Sequence, residues 1–181
     1  MFGLARGLLS GAIVSGTPLL YATLAELISE RAGIVNLGLE GVMLVGAVVG
    51  FITSVSTGSA TLAVVAAGLA GALFNMIFAF LVISRRANQL ASGLALMFCG
   101  VGLSALLGAP YIGSRISGLE EIRIPGLADL PLLGPALFAH DALVYLAAPA
   151  AILLWWVLFF TRWGLSLRAV GENPVAAFAA G

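Results

Sequence analysis

The polar chemistry of this chain is concentrated in one stretch, Glu30-Arg31-Ala32-Gly33-Ile34-Val35-Asn36-Leu37-Gly38-Leu39-Glu40-Gly41-Val42-Met43. Two carboxylates, an arginine and an asparagine stand here in a sequence otherwise made largely of hydrocarbon and glycine. On a helix, Asn36, Glu40 and Met43 fall at i, i+4 and i+7 and share one face. Gly33, Gly38 and Gly41 interrupt the run, which suits a bent or partly unwound approach to a span. Glu40 would then lie about one and a half turns inside an apolar segment, where an unpaired carboxylate costs roughly 3 kcal/mol or more. Two uses offset that cost. Glu40 either pairs with an arginine and joins helices, or it lines a polar pathway with Asn36 and Met43, to which Asn75 adds the one strongly polar side chain of a later apolar run. The pathway is the favoured reading.

The elements that position these residues follow from composition. Hydrophobic residues make up 61% of the sequence and charged residues 9%, with a mean hydropathy of +1.14. Soluble domains carry about a quarter charged residues, so a globular cytosolic protein is excluded. All 8 basic residues are arginines, and the 23 glycines sit inside apolar runs without a collagen period, as in closely packed membrane helices. Cys99 is the single cysteine, which rules out an internal disulfide, and it fits a small buried hydrophobe. His140, beside Asp141, has no second imidazole or thiolate near it in sequence; it is expected at a membrane interface rather than in a metal site. No constellation for catalysis inside a span is present, so no enzyme, no metal and no cofactor of its own is expected. Zero formal net charge argues against nucleic acid as a partner.

About five apolar runs are long enough to span a bilayer: 8–28, 34–53, 60–84, 90–107 and 142–160. The expected fold is therefore all-α, a polytopic transmembrane bundle. Gly7, Gly11 and Ser15 form a small-residue stripe on the first run, and Gly46 and Gly50 a close-approach pair on the second. Ser54–Ser59 is expected to be a polar turn and Arg85-Arg86-Ala87-Asn88-Gln89 a compact basic loop. Arg6 before an apolar run would suit a signal peptide, but no small-residue cleavage site follows. Between Ala109 and Asp141, four prolines and mixed charges mark a water-facing loop. Trp155, Trp156 and Trp163 form an aromatic belt at the end of the last run. Arginines favour the loops after the first, third and fifth runs, placing Arg85, Arg86 and Arg162 in the cytoplasm and loop 109–141 outside.

A second informative stretch closes the chain, Thr161 to Gly181. Asn173 followed by Pro174 starts a helix, the asparagine capping free amides and the proline standing where no donor is needed. The short helix it opens carries one large side chain, Phe178, an anchor suited to a groove on a soluble partner, approached by the charged pair Arg168 and Glu172. An ordinary loop into a sixth span remains the alternative.

With these stretches in view the sequence resembles the permease subunits of bacterial ATP-binding-cassette importers, in the branch that takes up nucleosides and simple sugars, within the wider branched-chain amino acid and ribose-type permeases. The resemblance rests on Glu30 to Gly41, on Arg86-Ala87-Asn88-Gln89 with Ser92-Gly93-Leu94-Ala95, on Ile124-Pro125-Gly126-Leu127 with Leu130-Pro131-Leu132-Leu133-Gly134-Pro135, and on Gly164 to Gly181. It implies a single transmembrane permease domain over 1–181, incomplete at its C-terminus, in a bacterial inner membrane. It also implies a second permease subunit, cytoplasmic ATPase subunits that bind the ATP, and an extracytoplasmic substrate-binding protein. Segment 162–181 would be the cytoplasmic coupling loop, with Arg168, Gly171, Glu172, Asn173, Pro174, Ala176, Ala177, Phe178 and Gly181 as its contact residues. The spacing Ala176-Ala177 to Gly181 is similar to the coupling motif of importers at large, although Val175 stands where that motif often has glutamate. Branched-chain amino acids as substrate, or a passive channel, remain alternatives.

Overall fold

The computed structural model describes residues 2–116, 118–123, 125–126 and 134–180. Gly181 and the motif residues Ile124, Leu127, Leu130, Pro131, Leu132 and Leu133 fall outside the described residues. Among the described residues, five helices are long and apolar enough to cross a membrane: Gly7–Arg31, Leu39–Thr57, Ala60–Ser84, Gln89–Tyr111 and Ala142–Phe160. The all-α bundle expected from composition is thus the architecture. The chain forms two compact units, Ile34–Gly118 and Met1–Gly33 with Leu119–Gly181.

In the unit Ile34–Gly118, α2 (Leu39–Thr57) packs on both α3 (Ala60–Ala79) and α4 (Gln89–Gly108), which meet each other over a smaller area. Small residues make this possible. A Cβ on Gly50 would stand 3.0 Å from the Ala67 methyl, and one on Gly46 3.1 Å from the Ala67 carbonyl oxygen. The expected close-approach pair is therefore the seat of α3. On the opposite side, a Cβ on Gly100 would lie 2.5 Å from the Gly41 carbonyl oxygen, so α2 and α4 cross backbone to backbone. Phe78, Val82 and Leu96 form the buried cluster, with Ile34, Val42 and Phe74 packed against it.

Ser54–Thr57 is not the turn its polarity suggests, because α2 continues to Thr57. Thr53 and Thr57 donate to the carbonyls four residues back, at 2.8 and 2.7 Å, so their hydroxyls need no water. The chain turns at Gly58, whose φ of 68° ends the helix. Beyond α3 a π-helical turn spans Phe80–Ser84, and Arg86 adopts a left-handed φ of 51° before Asn88 caps α4.

In the other unit, α1 (Phe2–Arg31) packs on α6 (Ala142–Phe160). The Tyr21 hydroxyl donates 2.8 Å to the Leu143 carbonyl, and Arg31 lies over the ring of Phe159. The two contacts pair early α6 with mid α1 and late α6 with the end of α1. The helices therefore run in the same sense, as the first and fifth of five alternating spans must. Gly7 and Gly11 meet nothing within 4 Å, so the α1 stripe is open among the described residues. Between α4 and α6, β1 (Ile122–Arg123) pairs antiparallel with β2 (Ala139–His140), Ile122 opposite His140, and a short α5 (Gly134–Leu137) precedes β2. The Tyr145 hydroxyl ties this ribbon to α6, accepting from the His140 amide at 3.2 Å and donating to the Ile122 carbonyl at 3.0 Å. His140 is buried within the protein. Asp141 caps α6 by accepting from the Leu143 and Val144 amides.

Candidate functional site

The lead-in Ile34–Gly38 is not helical; α2 begins only at Leu39. Asn36 therefore does not share a helix face with Glu40. The side chain of Asn36 turns inward, where its Oδ1 accepts from the Gly38 amide at 2.9 Å and its Nδ2 donates to Asn75 Oδ1 at 2.8 Å. Asn36 is 5% exposed, so both ends of its amide are used where water is largely excluded. Two residues singled out separately in sequence are brought together. A third clamp comes from Gln89, whose Oε1 accepts from the Val35 amide at 3.0 Å. Gln89 belongs to the recognised motif, but its partner could not be read from that motif. Gly93 completes the bracket: a Cβ there would stand 2.8 Å from the Leu37 amide nitrogen.

Glu40 projects from the first turn of α2 and is exposed, with Leu44 and Ala47 one and two turns on along the same open face. Among the described residues of its own unit, its carboxylate has no ion pair with Arg85 or Arg86. Met43 is half-buried. Asn36 and Asn75 thus form a structural bracket, and Glu40 stands on the face that α3 and α4 leave open.

In the other unit, α7 (Arg162–Glu172) folds back from the end of α6. Thr161 makes the corner: its hydroxyl donates to the Val157 carbonyl at 2.5 Å and accepts from the Gly164 amide at 3.1 Å. Gly164 is buried against the carbonyls of Val157 and Leu158, leaving no room for a side chain. Gly171, at the other end of α7, lies against the backbone of Arg31 and Gly33. Arg168 does not point outward as a charged approach. Its guanidinium sits 4.8 Å from the centroid of Phe159, the ring that Arg31 also covers at 5.8 Å, within cation–π reach.

Asn173 then caps α8 (Pro174–Ala180), accepting from the Val175 and Ala176 amides at 3.1 and 3.0 Å, with Pro174 as the first helical residue. Ala176 and Ala177 follow, and Glu172 is exposed. Phe178 is 90% exposed, more than any other large hydrophobic side chain among the described residues.

Residues 8–181 match the family model described as branched-chain amino acid transport system, permease component. The chain is 41% identical, over 96% of its own length and 54% of the relative's, to a putative glucose ABC transporter permease protein of Haloferax volcanii. It is 39% identical to a nucleoside ABC transporter permease protein of Lactococcus lactis, covering 91% of this chain and 56% of the relative. A guanosine ABC transporter permease protein of Bacillus subtilis is 36% identical over the same shares, 91% and 56%. No solved structure matches the chain. The chain spans about half the length of these curated relatives. By the match over nearly its whole length, the chain belongs to the permease family whose model carries that description, as a multi-pass membrane member.

Proposed function

We propose that this chain is part of the permease subunit of an ATP-binding-cassette importer for nucleosides or simple sugars, in the plasma membrane. The substrate class rests on the relatives, which are named for glucose, nucleosides and guanosine. The observation that carries the coupling role is α8, held out by the Asn173 cap with Phe178 bare. Its partner is a cytoplasmic ATPase subunit that binds and hydrolyses the ATP. The permease itself needs no catalytic group or cofactor and contributes alternating access by helix movement. A second permease subunit and an extracytoplasmic substrate-binding protein complete the assembly. Glu40 and Met43 line the pathway from the open face of α2, and the Asn36–Asn75 bracket holds the start of that helix.

The test is uptake by the full-length protein, co-expressed with candidate ATPase and substrate-binding subunits. Labelled guanosine, glucose and leucine would be compared, with a hydrolysis-dead ATPase as control. ATP-dependent guanosine or glucose uptake is expected. Leucine uptake alone would move the substrate to branched-chain amino acids, and uptake independent of hydrolysis would make the protein a passive channel.

A further inference from the structure

Helix α7 is fixed at both ends by glycines that admit no side chain. At its start Gly164 is pressed on the last carbonyls of α6, and at its end Gly171 is pressed on the carbonyl of Arg31. The second contact is reciprocal. A Cβ on Gly33 would stand 3.1 Å from the Gly171 carbonyl oxygen, and Gly33 already holds a φ of +80°, which disfavours any other residue. Beside this backbone contact, Arg168 of α7 and Arg31 of α1 share the ring of Phe159 at the end of α6. Three helix ends thus meet at one point, and α8 hangs from the same strut through Asn173, whose amide donates to the Ala169 carbonyl at 3.1 Å.

We infer that the Gly33–Gly171 contact, braced by Phe159, is the joint through which displacement of α8 reaches the end of α1. This rests on the reading of α8 as the ATPase-docking element and extends it inward, assigning Gly33, Gly171, Phe159 and Arg168 as positioning residues for coupling. The physical basis is stiffness. Backbone-to-backbone contacts leave no flexible side chain to absorb a movement, so a shift of α7 must be shared by α1 or open the joint. An arrangement with two discrete packings at such a joint would carry coupling.

The experiment uses the full-length permease with its ATPase and binding protein, and compares Gly171→Ala, Phe159→Leu and Phe178→Ala. ATPase association is measured by co-purification, and uptake and substrate-stimulated hydrolysis in proteoliposomes. Phe159→Leu is expected to leave association intact while uptake per ATP hydrolysed falls roughly 2- to 30-fold, and Gly171→Ala to lower uptake per ATP over the same range. Phe178→Ala is expected to lose association itself. Should Gly171→Ala not insert, Phe159→Leu decides, since it removes the π face from both guanidiniums and keeps an apolar side chain in place. Normal association with unchanged uptake per ATP in Phe159→Leu and in any inserted Gly171→Ala protein overturns the joint. Intact association in Phe178→Ala overturns the docking reading instead, so the two failures are distinct.

Discussion

Asn36 and Asn75, 39 residues apart, are joined by a hydrogen bond of 2.8 Å between Asn36 Nδ2 and Asn75 Oδ1. The bond ties the non-helical lead-in of α2 to the side of α3. Truncating either residue leaves a polar group without its partner, at about 1–3 kcal/mol. Asn36→Ala should cost more than Asn75→Ala, because Asn36 also accepts from the Gly38 amide. A double-mutant cycle on the detergent-purified protein should give a coupling of about 0.5–2 kcal/mol, in line with interhelical hydrogen bonds in membranes. Strict additivity of the two losses would show that the bond does not hold the helices together.

The crossing of α2 on α4 makes a contrast between glycines. A Cβ on Gly41 would stand 2.7 Å from Met97 Cα, whereas Gly102 meets nothing within 4 Å. Gly41→Ala must separate two backbones and should destabilise by about 1–3 kcal/mol. Gly102→Ala should instead gain about 0.5–1 kcal/mol from helix propensity. Thermal unfolding of both variants measures the difference, and equal stabilities would refute the close crossing.

Topology is testable at two exposed positions. The parallel course of α1 and α6 fits an odd number of alternating spans, and from the arginine bias the loop after α3 is expected in the cytoplasm. In a Cys99→Ala background, needed because Cys99 is itself exposed, cysteines at Ser84 and Gly118 should react with an impermeant thiol reagent from opposite sides. Reaction of both from one side would break the five-span arrangement.

Much of this fold is legible in sequence because apolar length and helix caps are local properties. The five spans follow from hydropathy, and the start of α8 from Asn173 and Pro174. What escapes local reading has identifiable causes. Serine and threonine extended α2 to Thr57 by bonding back to carbonyls, a use their polarity does not distinguish from a turn. Asn36 has helical spacing to Glu40, yet its side chain closes a turn on Gly38 instead. The two-residue strands beside His140 are too short to show alternation. The joint of Gly33 on Gly171 spans most of the chain in sequence, and nothing near either glycine announces it.

Glu40 stands on the open face of α2, without an ion pair among the described residues of its own unit. In a membrane such a carboxylate needs water, substrate or another subunit. Glu40→Gln in the full-length transporter should lower uptake about tenfold or more, the effect of losing a charged hydrogen bond of roughly 1.5–3 kcal/mol. Glu120→Gln, in the loop between α4 and α6, should leave uptake unchanged. Equal, mild effects of the two substitutions would show that Glu40 is only solvated.

Phe178 offers the most direct test of docking. Its side chain is 90% exposed on a helix whose first turn is fixed by Asn173. A single aromatic seated in a desolvated groove can carry about 2 kcal/mol or more of an interface, on the order of thirtyfold in affinity. In the full-length permease, Phe178→Ala should weaken ATPase association by that factor without changing membrane insertion. Asn173→Ala should act in the same direction more mildly, since loss of a helix cap costs about 1 kcal/mol, equivalent to roughly fivefold. The ratio of the two effects separates an anchor from a mere spacer: if the cap variant weakens association as much as the loss of the ring, α8 contributes shape rather than a bound aromatic. If Phe178→Ala leaves ATPase binding intact but prevents insertion, the segment belongs to a further span and does not dock.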